Sequence, residues 1–260
     1  MTTAKFKCLK LLALAATTLV ISLPISAQSA LTRPIDTKTA IAQSKAFRPP
    51  SNPRRSRGHS TTTGTRQGSC VGNTETDFTI LGPSTFVGLS ASNRPEFVWS
   101  LPPDDEAYPV TFRLLALNAD GLPELIYTGD VNYKSGITKY TLPTDVADLS
   151  PGTEYRWQVT VVCDENYLSR SLNQERAFEV VLPDAELQQS LRGITTNTQR
   201  AIAYGEAGFW YDAIAQVAQS NNPEEQSMFR ALLEDLAAVE AETPESVSFS
   251  ENLLSIANTL

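Results

Sequence analysis

Between Asp77 and Leu182 the chain is cut into short β-rich runs by Gly, Pro and Asp, with no helical period between them. Glu96-Phe97-Val98-Trp99 alternates with a period of two, which puts Phe97 and Trp99 on one face. Val110 to Leu117 follows, with Phe112, Leu114 and Ala116 together, and Asn118-Ala119-Asp120-Gly121 is a turn. Leu125-Ile126-Tyr127 and Ile137 to Leu142 are further runs. The longest, Tyr155 to Cys163, gathers Tyr155, Trp157, Val159, Val161 and Cys163 on one side, and Ala177 to Leu182 closes the set. Strands at this spacing predict an antiparallel β-sandwich over residues 70–182.

Two stretches sharpen that expectation. Leu149-Ser150-Pro151-Gly152-Thr153-Glu154-Tyr155 resembles the corner before a late strand of fibronectin type III domains, where a Tyr hydroxyl bonds backbone just upstream. Phe97-Val98-Trp99-Ser100-Leu101-Pro102 resembles the early Trp strand of that fold. The resemblance implies a fibronectin type III/Ig-like sandwich with Trp99 and Trp157 in its core.

After Pro183 the period changes. Asp184 to Glu206 carries Leu187, Leu191, Ile194 and Ala201 at helical intervals, with Asp184 as N-cap. Gly208 breaks this helix, Phe209 to Ala218 makes a second, and Pro223 starts a third through Leu236 or Val239. Glu224 and Glu225 in its first turn suit the helix dipole. The chain is therefore expected to be α+β: a sandwich, then a C-terminal helical hairpin or three-helix segment over 183–243, then a weakly ordered tail over 244–260. Ala203 to Ala213 resembles the turn of a tetratricopeptide helix pair. A lone pair cannot bury both faces, so it must pack on the sandwich or on a partner. Phe209, Trp210 and Tyr211 are consecutive and point in different directions. With Asp212 they are either sandwich packing or a peptide or glycan contact.

The N-terminus reads as an address. Lys5, Lys7 and Lys10 precede an apolar run from Leu11 to Leu23, then Pro24 and the small residues Ser26 to Ala30. This is the layout of a secretory signal peptide, residues 1–27, cleaved after Ala27 with Ala30 as runner-up. The alternative is an uncleaved anchor, although the run is short for spanning a bilayer. No later stretch has spanning length. The mature protein is expected in the periplasm or outside the cell.

Charge is split along the chain. From Gln28 to Cys70 eight basic residues face one acid, a net +7; from Val71 to Leu260 there are 10 basic and 28 acidic residues, a net −18. The basic stretch is rich in Pro, Ser and Thr, which disfavours regular structure, so residues 28–69 are expected to be a disordered arm. Arg48, Arg54, Arg55, Arg57 and Arg66 would make it an electrostatic tether; otherwise it is a solvated linker. Export and the acidic body disfavour nucleic acid.

Export leaves Cys70 and Cys163 in an oxidising compartment, where a disulfide between them is the simplest reading and two unpaired thiols the alternative. The bridge would close a long loop, worth roughly 4–5 kcal/mol in the chain-entropy account. The single His, His59, lies in the arm, without the fixed geometry a catalytic base needs. There is no GxSxG elbow, P-loop, HExxH, GxGxxG or CxxC. Asp104-Asp105-Glu106 is a solvated acidic loop or a Ca²⁺ ligand set without EF-hand spacing. No cofactor, metal or catalytic residue is expected.

The order of motifs carries a family resemblance. After the leader and the Arg/Pro-rich arm come Arg57-Gly58, Gly68-Ser69-Cys70, Leu81-Gly82-Pro83, Gly88-Leu89-Ser90 and Pro95-Glu96-Phe97. Tyr155-Arg156-Trp157 with Cys163-Asp164 and Gly208-Phe209-Trp210-Tyr211-Asp212-Ala213 follow. This resembles the cyanobacterial exported family catalogued as domain of unknown function 928. The resemblance implies an exported envelope protein and brings no catalytic residues. The leading expectation is a non-enzymatic protein-interaction module with a basic tethering arm. An envelope polysaccharide-binding module and, more distantly, a carboxylate-based hydrolase are the alternatives.

Overall fold

Tyr155, Trp157, Val159 and Val161 are buried while the residues between them are half-buried, so β7 (Glu154–Val161) turns one face inward as its alternation requires. The computed structural model describes residues 45–55, 78–104 and 107–260, all within one unit, Gln43–Leu260. The leader (1–27), Arg57, His59, Arg66, Cys70, Asp105 and Glu106 lie outside the described residues.

Two sheets carry the β half. In the first, β7 is flanked by antiparallel β4 (Val110–Leu117) and β8 (Leu172–Val180). β5 (Pro123–Val131) pairs with the far edge of β4, and the short β2 (Gly88–Ser90) lies along β8. The second sheet has β3 (Glu96–Leu101) between β1 (Thr79–Ile80) and β6 (Gly136–Thr141). Every pair is antiparallel except β2 with β8, which is parallel; the expected all-antiparallel pattern misses this three-residue strand. The Phe97 ring lies 5.0 Å from both Phe112 and Trp157 and 5.5 Å from Phe178, so the two sheets meet through aromatic side chains. The expected corner is present: the Ser150 N–H donates to the Tyr155 hydroxyl at 2.8 Å.

Five helices follow. The segment 184–206, expected as one helix, is two: α1 (Ala185–Arg192) and α2 (Asn197–Glu206). Gly193 ends the first, and the Thr196 hydroxyl caps the second by accepting from Gln199 N–H. Asp184 caps α1 as expected, its carboxylate accepting from Leu187 N–H at 2.8 Å. α3 (Trp210–Val217) packs on β2 and β3, and α4 (Pro223–Glu240) on α2 and α3. The tail is a helix, not a weakly ordered end. α5 (Val247–Asn258) buries Phe249, Leu253, Ile256 and Ala257, spaced for one helical face, against α4.

The expected disordered arm also needs correction over residues 45–55. This strap is packed on the body with Ala46 and Phe47 buried, Phe47 lying edge-on to Trp210 at 5.0 Å. Phe47 N–H donates to the Asp235 carboxylate (3.0 Å), Arg48 N–H to the Gly205 carbonyl (3.0 Å) and Val87 N–H to the Arg54 carbonyl (2.8 Å). Burial of one large aromatic, with its backbone satisfied, outweighs the solvating prolines and arginines around it. Among the described residues no helix is long and apolar enough to cross a membrane.

Candidate functional site

Phe209, Trp210, Tyr211 and Asp212 do not form an exposed contact surface: they are 6%, 0%, 1% and 8% exposed. They join helices to sheets. Trp210 Nε1 donates to the Leu81 carbonyl at 2.9 Å. The Tyr211 hydroxyl accepts from Trp157 Nε1 at 2.9 Å, with its ring against Phe97 and Phe178, and burial raises its pKa. The backbone opposite must come close: a Cβ on Gly88 would sit 2.7 Å from the Tyr211 ring, and one on Gly82 2.9 Å from its hydroxyl. Asp212 accepts from Ala91 N–H at 2.6 Å, with Ser90 and Ser92 also bonding to it. Burial pushes its carboxyl up to about 6 despite those bonds.

Beside this junction lies a buried charge pair the sequence did not announce. Burial lowers the Arg176 guanidinium to about 10, opposed by the attraction of Glu240. Arg176 Nε donates to the Gly82 carbonyl at 2.9 Å, and the guanidinium lies 4.3 Å over the Phe249 ring. The fully buried Glu240 accepts from Ser84 N–H (2.8 Å), Thr85 N–H (3.3 Å) and the Ser84 hydroxyl. The pair thereby holds the loop 84–86 against the end of α4.

Above that loop is an open groove of about 570 Å³. The strap contributes Pro53 and Arg55 to its lining, the loop Thr85 and Phe86, and the segment after α4 Glu242 and Glu245. Arg54, one step from the groove, ion-pairs with Glu179 and, at 3.7 Å, with Glu154. Arg55, Glu242 and Glu245 have no ion-pair partner among the described residues. The groove is thus lined by one cation and two carboxylates together with apolar side chains. Phe86 and Phe249 are too deeply buried to offer stacking faces.

The family described as Domain of Unknown Function (DUF928) matches residues 61–245, and the chain belongs to it. No curated protein matches the chain. Among solved structures, similarity extends to the sensor domain of the anti-sigma factor RsgI4 of Pseudobacteroides cellulosolvens: 15% identity over 43% of this chain and 100% of that one, TM-score 0.26. A lytic polysaccharide monooxygenase of Cellvibrio japonicus, important for chitin utilization, is 11% identical over 39% of this chain and 58% of that one, TM-score 0.24. Astrotactin-2, a vertebrate-specific perforin-like membrane protein, is 12% identical over 72% of this chain and 36% of that one, TM-score 0.28. At these TM-scores the likenesses say nothing about this chain's activity.

Several motifs that carried the family resemblance meet at one place. Gly82, Gly88, Trp157, Trp210 and Tyr211 all belong to the junction between α3 and the sheets. The groove residues Arg55, Glu242 and Glu245 stand outside those motifs. The sequence assigns Arg55 only to the tether, and nothing in the spacing of the two glutamates along the chain marks them as neighbours of it.

Proposed function

We propose that the chain is an exported, non-enzymatic interaction module of a cyanobacterial envelope, and that its groove takes a polypeptide segment of a partner protein. The carrying observation is the open groove lined by Arg55, Glu242 and Glu245, none of which has an ion-pair partner among the described residues. A segment with a Lys or Arg toward the glutamates and a carboxylate toward Arg55 would complement these charges. The −18 balance of residues 71–260 steers basic segments toward the body. The facing sheets and the Ser150–Tyr155 corner support reading the body as a fibronectin type III-like sandwich. The basic arm serves as tether through Arg48, Arg57 and Arg66; Arg54 is engaged by the body.

Capture from envelope extract by the mature chain tests this reading. Thr85→Trp should obstruct the groove and abolish capture, and Glu242→Gln with Glu245→Gln should weaken it by about tenfold, a loss of about 1.4 kcal/mol. Retention of the same partner by both variants, with wild-type melting curves, would remove the groove from the proposal.

The covalent partner of Cys163 has its own test. Cys163 follows β7, and its proposed partner Cys70 lies outside the described residues. Intact mass of the exported protein is expected to show no alkylation by iodoacetamide before reduction and two adducts after it. Two adducts without reduction would sink the bridge.

A further inference from the structure

At one end of the two sheets, away from the groove residues in sequence, is a second cavity of about 400 Å³. Pro109, Val110 and Val131 line it together with the aromatic rings of Tyr108 and Tyr133. The two rings stand edge to face, 6.0 Å apart, and both are half-buried. The Tyr133 hydroxyl donates to the Pro102 carbonyl at 2.7 Å, which fixes that ring. On the rim, two residues apart at the end of β5, stand Asp130 and Asn132, both exposed. Neither side chain has a hydrogen-bond or ion-pair partner among the described residues.

We propose that this cavity binds a neutral saccharide. Its volume falls in the range of small-ligand sites, about 300–1,000 Å³. A carboxylate only accepts and a carboxamide both donates and accepts, so Asp130 and Asn132 together match hydroxyls that do both. Tyrosine rings offer the apolar body on which the C–H face of a sugar ring lies. The ligand's charge follows from the surroundings. Asp130 is a carboxylate with no ion-pair partner among the described residues, and Asp104 lies near enough to Tyr133 to act on it electrostatically. No cation lines the cavity among the described residues. That field repels uronate and sulfate groups. Among the described residues no group of three or more His, Cys, Asp or Glu that could hold a metal occurs.

The proposal relocates glycan recognition from the buried Trp210 to an accessible pocket and does not depend on the groove. The test is titration of the ¹⁵N-labelled mature chain with cellotetraose, maltotetraose and mannotetraose, with tetragalacturonate as the charged control. At least one neutral tetraose should shift the amides of Tyr108, Asp130 and Asn132 in a saturable way. Asp130→Ala and Asn132→Ala should each weaken binding by about tenfold or more, with unchanged melting temperature because both residues are exposed. Thr85→Trp should leave it unchanged. Absence of saturable shifts at about 10 mM, well above the ~1 mM range of weak recognition, would overturn the proposal. So would binding by the two alanine variants as tight as that of the wild type, or binding of tetragalacturonate alone.

Discussion

A Gly205→Ala chain is expected to be less stable than wild type by about 2–4 kcal/mol, although alanine improves the helix it enters. Gly205 lies inside α2, where an alanine gains about 1 kcal/mol of helix propensity. Its Cβ would overlap the Ala46 carbonyl oxygen, a backbone atom that moves only if the strap moves. Displacing the strap exposes Phe47, whose burial is worth about 3–5 kcal/mol by the cost of Phe-to-Ala core substitutions. It also breaks the bonds from Phe47 N–H to Asp235 and from Arg48 N–H to Gly205. Loss exceeds gain. Urea unfolding gives the magnitude, and trypsin cleavage after Lys45 and Arg54 reports release of the strap. Phe47→Ala should behave alike, and the double variant should cost little more than either, because both changes remove the same contact. A Gly205→Ala chain that is more stable than wild type, with its strap still resistant to trypsin, would contradict this account.

The strap marks where reading the sequence stops. A single Ala46-Phe47 pair among prolines and arginines has no period, so nothing local distinguishes it from a solvated linker. What holds it is a cleft made by Trp210, Gly205 and Asp235, well over a hundred residues further on. The strands of the sheets were legible because alternation is a local property: Tyr155, Trp157, Val159 and Val161 declare one face before any partner is known. Asp184 was legible as a cap for the same reason, since its partner is Leu187 N–H three residues on. The break between α1 and α2 was not legible because the apolar spacing of Leu187, Leu191, Ile194 and Ala201 runs across it, while Gly193 ends the first helix and the Thr196 cap starts the second. The aromatic triplet was recognised as special, yet its burial depends on room left by Gly82 and Gly88. The groove was invisible for a related reason. Arg55 lies far from Glu242 and Glu245 in sequence, and only the docked strap brings them to one groove.

Asp212 is expected to give the protein a pH dependence of stability that runs against the usual carboxylate case. Its carboxyl is raised from 3.8 to about 6 by burial, and hydrogen bonds from Ala91, Ser90 and Ser92 only partly offset this. Tyr204 is the ionisable neighbour it acts on, itself raised by burial and by Asp212. A folded-state value above the unfolded one means that folding favours the protonated acid. The contribution is therefore fully present below about 3.8 and is lost as pH rises through about 6. A shift of two units corresponds to about 3 kcal/mol, an order-of-magnitude figure for so buried a group. Asp212→Asn removes the titration while keeping a carbonyl oxygen for Ala91 N–H. Its amide cannot accept from Ser90 and Ser92 as a carboxylate does, which costs about 1–3 kcal/mol. Relative to wild type, the asparagine chain should fare worst near pH 4, where wild type carries an uncharged acid, and recover most of that deficit by pH 7. The measurement is the difference in unfolding free energy between the two chains at several pH values across that window. A difference that stays constant would show that Asp212 is ionised throughout, with its three hydrogen-bonding partners outweighing its burial.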